Sequence, residues 1–151
     1  MRQNRPLSFT FQIGTVLCLL ILSMLLPAVV AAQPANNDFV NATLILGAMG
    51  SLTQSTAGAT KEFGEPNHGG ETGGASVWFV WEAPANGAAE FDLHFSDFDT
   101  ILSAYTGTTL ENLRAVAEND DAFEYFPLVS QWLERGTQSH MRFPARTGVR
   151  Y

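Results

Sequence analysis

Period-two alternation of apolar and polar residues, broken every few positions by Gly, Asn, Pro or Thr, is the feature that most restricts the fold of this chain. It runs from Asn36 onward, and no stretch there keeps the three-to-four spacing of an amphipathic helix. Because successive side chains of a strand point to opposite faces, the pattern predicts short, half-buried strands. We therefore predict an all-β fold of six or seven strands, arranged as an antiparallel β-sandwich.

Two strands and the link between them show the pattern most clearly. From Ala89 to Phe95 apolar and polar residues alternate, so that one face packs and the other meets water. The run from Ser76 to Trp81 is apolar on both faces, which predicts a central strand covered on both sides. Pro84-Ala85-Asn86-Gly87 connects the two runs, and Asn-Gly favours a tight reversal. We therefore predict that the two strands pair as a hairpin.

A second antiparallel pair is predicted further along the chain. Thr100–Tyr105 and Leu113–Glu118 flank a connection in which a short turn or a single helical turn would serve equally well. Residues 122–138 fit either a short helix or an irregular strand. Shorter or weaker alternating runs are Asn41–Leu46, Ser51–Ala57, His140–Phe143 and Val149–Tyr151.

Residues 1–32 have the order of an export signal. Two arginines precede an apolar run over 13–26, and a proline and a Val-Ala-Ala sequence ending at Ala32 follow it. A positive end, an apolar segment and small residues in that order predict cleavage after Ala32. The alternative is an uncleaved membrane anchor over 11–32, close to the ~20 residues that span a bilayer. We predict a secreted, cell-surface or periplasmic protein in which 33–151 forms one domain.

Charge and cysteine content exclude several functional classes. Beyond residue 32 the chain carries six basic against 15 acidic residues, a formal charge of −9. Nucleic acids and anionic membranes are recognised by concentrated positive charge, so neither is expected as a partner. The single cysteine, Cys18, lies in the signal segment. The exported part therefore has no thiol for a disulfide, a zinc–thiolate site or a nucleophile.

Catalytic motifs are also missing from the sequence. The chain has no Gly-x-Ser-x-Gly and no His-Glu-x-x-His, and none of His68, His94 and His140 lies in a recognisable catalytic setting. We therefore expect a non-enzymatic protein. The alternative is a secreted hydrolase of unrecognised type, for which turnover abolished by a substitution at His68 or Asp99 would be the evidence.

Acidic and amide side chains gather at one end of the second strand pair. If the pair reverses about Thr109, Asp99 faces Asn119 and Asp97 faces Asp121. Calcium takes about six to eight oxygen ligands from such groups, and an exported protein meets calcium. The alternative is that Asp and Asn recur at strand ends because they close turns. The calcium hypothesis has as its ligands Asp97, Asp99, Asn119, Asp120 and Asp121.

The glycine-rich segment 64–75 precedes the predicted central strand. It lacks the Lys-Ser/Thr ending of a phosphate-binding loop and contains two carboxylates, so it is not a nucleotide site. We interpret it as a long loop in which Glu65, His68 and Glu71 are candidate ligands or recognition groups.

Several short motifs occur in an order that is typical of one family of bacterial domains. They are Asn37-Asp38-Phe39-Val40-Asn41-Ala42, Gly58-Ala59-Thr60-Lys61-Glu62, Gly64-Glu65-Pro66-Asn67-His68, Gly74-Ala75-Ser76-Val77-Trp78-Phe79-Val80-Trp81, Phe98-Asp99-Thr100-Ile101-Leu102-Ser103-Ala104-Tyr105-Thr106-Gly107 and Asn119-Asp120-Asp121. Over about residues 36–121 the chain resembles the bacterial pre-peptidase C-terminal domain and its relatives. Each motif is weak alone, and their order and spacing carry the resemblance.

The resemblance implies a non-catalytic β-sandwich of jelly-roll type, found beside other domains of secreted proteases and large surface proteins. Related collagen-binding modules of bacterial collagenases bind calcium partly through an N-terminal linker, which implies Asn37 and Asp38 as contributors here. In the family, the segment resembling 147–151 is followed by the rest of that strand and a final one. We therefore expect a C-terminally incomplete sandwich that lacks its last strand or strands.

The expected role is that of a binding or accessory domain, stabilised by calcium, with an extracellular protein or polysaccharide as partner. A sandwich without an edge strand exposes unpaired backbone, which invites pairing with another chain. A structural surface module that self-associates through this exposed sheet edge is therefore a further alternative.

Overall fold

Strands form most of the regular structure in the described part of this chain. The computed structural model describes residues 31–126, 131–134 and 136–151, and of 123–126 and 131–134 it describes the backbone. Within these ranges no α-helix occurs, and two 3₁₀ turns, Phe39–Asn41 and Leu110–Asn112, are the helical elements. The predicted all-β class is confirmed. The strands are β1 (Thr43–Ile45), β2 (Phe79–Trp81), β3 (Gly87–Asp92), β4 (Leu102–Thr106), β5 (Arg114–Asn119), β6 (Phe123–Phe126), β7 (Gln131–Glu134) and β8 (His140–Ala145).

The described strands pair two by two. β3 pairs with β8, β4 with β5 and β6 with β7, all antiparallel, whereas β1 and β2 run parallel. Within the region 122–138, the described segments 123–126 and 131–134 are strands and not a helix. The weak run Ser51–Ala57 forms no strand, so that prediction is wrong.

The predicted hairpin of the two clearest strands is also wrong, because β3 pairs with β8 and not with β2. Beyond β8 the chain bends and continues in the same register, so that Ala83 N–H donates to Val149 at 3.0 Å. The Asn86 side chain accepts from Thr147 N–H at 2.9 Å. Asn86 therefore stabilises a corner between two paired segments, and Asn86-Gly87 does not reverse the chain.

Because of this corner, β2 lies between the C-terminal segment and β1. Trp81 exchanges two main-chain hydrogen bonds of 2.9 Å with Tyr151, and β1 pairs along the other edge of β2. β2 is thus paired on both sides, and its side chains are half-buried.

The core lies against the inner face of β8. Met141, Phe143 and Ala145 are buried there, and the two residues between them are exposed, as a period-two strand requires. The Phe143 ring stacks on Phe91 with centroids 6.0 Å apart and lies 5.0 Å from the Tyr151 ring. Most of the other buried core residues are alanines, so these rings supply much of the buried apolar surface.

The pairing of β4 with β5 confirms the second predicted pair but corrects its register. Leu102, not Asp99, lies opposite Asn119. The connection holds the 3₁₀ turn 110–112, closed by the Asn112 side chain, which accepts from Thr108 N–H at 2.8 Å. An irregularity beside Ala104 then shifts the register again. Together the turn and the bulge displace the strand register by three residues from the predicted one. Neither leaves a trace in the alternation of apolar and polar residues.

The predicted export signal lies almost wholly outside the described residues, which begin at Ala31. Within the described ranges, no helix has the length and apolar character that crossing a bilayer requires. Export and localisation stay predictions.

Candidate functional site

One buried serine ties together two of the chain segments that carry acidic residues. Ser139 has no exposed surface, and its hydroxyl lies between the main-chain oxygens of Thr100 and Asp120, 2.6 Å from the latter. The Ser139 N–H donates to the Thr100 hydroxyl at 2.8 Å. Since Thr100 directly follows Asp99, these bonds hold the backbone of Asp99 beside that of Asp120.

Asp99, Asp120 and Asp121 form the acidic cluster. Each offers one carboxylate oxygen, and these oxygens lie within 4.8 Å of one another. Desolvation raises the pKa of Asp120, and the negative charges of Asp121, Asp99 and Glu71 raise it further. The cluster therefore concentrates negative charge that a bound cation would neutralise.

Two of the five predicted ligands do not join these carboxylates. Asp97 lines a separate surface depression, together with Phe98 and residues 53–57. Asn119 borders the same depression as Asp120 and Asp121. Its Oδ1 accepts from the His140 N–H at 2.8 Å, and its Nδ2 donates to the Asp121 carbonyl at 3.1 Å. Three carboxylates therefore meet instead of four, and the amide of Asn119 binds the main chain.

The contributors implied by the family resemblance are bound elsewhere. Asn37 is buried, and its Oδ1 accepts from the Thr60 N–H at 2.7 Å. Its Nδ2 donates to the Asp38 carboxylate, also at 2.7 Å. The Asn37 side chain thus holds the N-terminal segment against residue 60, and the Asp38 carboxylate binds Asn37. Among the described residues, the group of carboxylates that could hold a metal does not include Asp38.

A second polar cluster, which we call the Glu65 network, joins the glycine-rich segment to β4 and β5. His68 Nε2 lies 2.7 Å from Glu65 Oε1, and His68 Nδ1 lies 2.8 Å from the Tyr105 hydroxyl. The Tyr105 hydroxyl lies 3.0 Å from Glu118 Oε1. Four titratable side chains, Glu65, His68, Tyr105 and Glu118, therefore form one hydrogen-bonded chain.

Burial is strongest at the Glu65 end of the network. The Glu65 side chain is 0% exposed, and its second oxygen accepts from the Glu62 N–H at 2.8 Å. His68 packs edge-on against the buried Trp78 ring at 5.5 Å. Burial also raises the pKa of Tyr105 to about 12, and the Glu118 carboxylate adds to that rise. Tyr105 therefore keeps its proton throughout the neutral range.

Glu118 connects the network with the surroundings of the acidic cluster. Its Oε1 accepts from the Gly69 N–H and from the Ser103 hydroxyl, each at 3.2 Å, as well as from Tyr105. Glu118 and Gly69 also border the open depression that Asp120 and Asp121 line. The network and the acidic cluster thus flank one depression.

Comparison with known proteins gives no relative from which a function for these clusters could be inferred. No family model, curated protein or solved structure matches this chain. The resemblance to the pre-peptidase C-terminal domain therefore stays a prediction that rests on the motifs in the sequence.

Sequence reasoning named Glu65 and His68 as candidate groups but missed their partners. Ser103 and Tyr105 alternate onto one face of β4, and Glu118 lies opposite Ser103 in the β4–β5 register. The sequence could have indicated these partners, because a hydroxyl, a phenol and a carboxylate share one face of the predicted strand pair. The third candidate, Glu71, donates its N–H to the His68 carbonyl at 2.9 Å, so its backbone closes the turn there.

Proposed function

We propose that this protein is an exported, non-catalytic binding or accessory domain of the β-sandwich type, with a jelly-roll arrangement, whose acidic cluster binds calcium. The observation that carries the proposal is the convergence of Asp99, Asp120 and Asp121 within 4.8 Å. Three carboxylates at that spacing repel one another unless a proton or a cation lies among them. Binding a cation would therefore stabilise the folded chain.

Calcium is the cation that suits the ligand chemistry. Calcium binds carboxylate and main-chain oxygens in flexible geometry, and water completes its coordination shell of about six to eight ligands. The cluster has no thiol or imidazole, which zinc and copper favour. A bound ion would join the segment before β4 to the segment after β5. Its role here is the stabilisation of loops.

A binding role is favoured over catalysis by the state of the best-placed histidine. Both ring nitrogens of His68 have partners, Glu65 and Tyr105, so neither is open to a substrate. The three partners of Glu118 Oε1 likewise use that oxygen inside the structure. These groups fasten a loop to a strand pair, which is a structural task.

The described surface also offers apolar side chains to a partner. Leu44, Leu46 and Met49, on β1 and just after it, are 55%, 77% and 94% exposed. Contiguous exposed apolar residues are typical of protein contact surfaces. They favour an extracellular protein, which includes a second copy of this chain, over a polysaccharide as the partner.

The test is thermal unfolding of the purified protein in chelator and then in millimolar calcium. A ligand that binds only the folded state stabilises it by about 2.7 kcal/mol at a hundredfold excess over Kd. We expect the unfolding temperature to rise with calcium, and the rise to disappear in Asp99→Asn and Asp120→Asn.

Asp97→Asn is the matched control, because it removes the same charge two residues from Asp99 but at a separate depression. It should keep the calcium response. An unfolding temperature that is indifferent to calcium would refute the proposal, and so would a response lost equally in all three variants.

A further inference from the structure

The Glu65 network contains one more hydrogen bond than its ordinary protons can supply. Its three contacts are Glu65 to His68, His68 to Tyr105 and Tyr105 to Glu118, at 2.7, 2.8 and 3.0 Å. Each contact at such a distance requires one proton between the two atoms. Two ionised carboxylates bring none, a neutral imidazole brings one, and the tyrosine brings one. The network is therefore one proton short.

Neither carboxylate is well placed to carry the missing proton. The second oxygen of Glu65 accepts from the Glu62 N–H at 2.8 Å. Glu118 Oε1 accepts from the Gly69 N–H and the Ser103 hydroxyl besides Tyr105. Hydrogen bonds that are donated to a carboxylate favour its ionised form. The imidazole ring is then the remaining place for the proton.

The charged groups around His68 favour the same assignment. Glu65 and Glu71 belong to its own loop, Tyr105 to β4 and Glu118 to β5, while Trp78 presents an uncharged ring. The nearby cation Lys61 donates to Asn67 Oδ1 at 2.8 Å and to the Thr72 carbonyl. No cationic partner of His68 occurs among the described residues, and its partners are acidic or neutral.

We infer that His68 is an imidazolium in the folded protein, and that it fastens the loop 64–75 to β4 and β5 as a proton-dependent latch. With both nitrogens protonated, His68 donates to Glu65 and to Tyr105, and Tyr105 donates to Glu118. Removal of the proton leaves two acceptors facing each other at one contact. The loop is then held by fewer bonds. This inference does not depend on calcium.

The latch makes stability depend on pH with a definite sign. An unfolded histidine is neutral above about pH 6.5, so a folded state that keeps the proton binds more protons than the unfolded state there. Stability is then complete at lower pH and falls as pH rises, until the folded protein also loses the proton. One such proton changes the unfolding equilibrium constant up to about tenfold per pH unit.

The direct test is the two-bond ¹H–¹⁵N spectrum of the histidine rings in the purified protein, which distinguishes an imidazolium from either neutral tautomer. His140 is the internal control, since it pairs with the exposed Glu90 at 3.0 Å. His68→Gln and His140→Gln assign the two signals. We expect both His68 nitrogens to carry protons at pH 7.5, with the His140 signals in the same spectrum as the comparison. A neutral His68 at pH 7.5 in the folded protein would overturn the inference.

Tyr105→Phe tests the proton count itself. It removes two of the three contacts, so that the single proton of a neutral imidazole suffices for the bond to Glu65. His68 in this variant is expected to lose its second proton at a lower pH than in the wild type. An unchanged titration would show that the link through Tyr105 to Glu118 does not hold the proton. The wild-type spectrum decides the question even if His68→Gln fails to fold.

Discussion

Ser139→Ala is the substitution that should separate the backbone segments carrying the acidic cluster. The Ser139 hydroxyl is fully buried, donates toward the carbonyls of Thr100 and Asp120, and lies 3.1 Å from the Thr100 hydroxyl. A hydroxyl has one proton, so the change removes about two hydrogen bonds: one donated and one accepted.

The expected loss of stability follows from the hydrogen bonds that are removed and from the buried acceptor that loses its donor. A net hydrogen bond contributes about 1 kcal/mol, and a buried acceptor left without a donor costs roughly 1–3 kcal/mol. Ser139→Ala should therefore lower the free energy of unfolding by about 2–4 kcal/mol. With a urea dependence of about 2 kcal/mol per molar, the middle of the usual range of about 1–3, the unfolding midpoint falls by roughly 1–2 M.

The assay is equilibrium unfolding in urea, in chelator, with Ser76→Ala as the control. The Ser76 hydroxyl makes one exposed bond of 3.3 Å to the Thr60 carbonyl, so its loss should change stability by less than about 0.5 kcal/mol. If Ser139→Ala proves as mild as Ser76→Ala, the hydroxyl does not hold the two segments together. The explanation for the position of the acidic cluster would then be wrong.

The remaining predictions concern the core and one turn, and urea unfolding checks both. Phe143→Ala removes a 3%-exposed ring that stacks on Phe91 and should cost about 3–5 kcal/mol, whereas Phe63→Ala, at a fully exposed ring, should cost less than about 0.5 kcal/mol; equal effects would refute the proposed position of the core. Gly107→Ala places a Cβ 2.8 Å from the Asn112 carbonyl oxygen at a φ of 141°, and should cost about 1–3 kcal/mol. Gly50→Ala meets open space and should be nearly neutral; a neutral Gly107→Ala would contradict the described turn.

Alternation was enough to predict most strands but not their partners. Ala89 to Asp92 form a strand with the predicted alternation, because local polarity decides which face is buried. The partner of that strand, β8, lies about 50 residues further along the chain. Asn86-Gly87 pointed to a near partner, yet the Asn86 side chain accepts from Thr147 and stabilises a corner. A side chain that bonds to a distant segment leaves no local signal.

In the candidate site, too, the sequence predicted the residues that are close in the chain and missed those brought together by distant contacts. Asp120 and Asp121 lie together because they are adjacent, and Asp99 joins them through bonds to Ser139, a residue that the sequence did not single out. Asp97 was misplaced because the predicted register ignored the 3₁₀ turn and the bulge. The buried partner of His68 could be predicted from the sequence, since Glu65 precedes His68 by only three residues. Tyr105 depends on how the loop packs over β4, which no local pattern shows.

A calcium titration followed in ¹H–¹⁵N spectra of the purified protein would show directly whether the acidic cluster binds calcium. We expect the amide signals of Asp99, Asp120 and Asp121 to shift together along one saturating curve. The Asp97 signal and those of β3 should stay in place, and Asp120→Asn should abolish the shifts. No change at millimolar calcium, or small shifts spread over scattered acidic residues such as Glu82 and Glu90, would contradict a calcium site at this cluster.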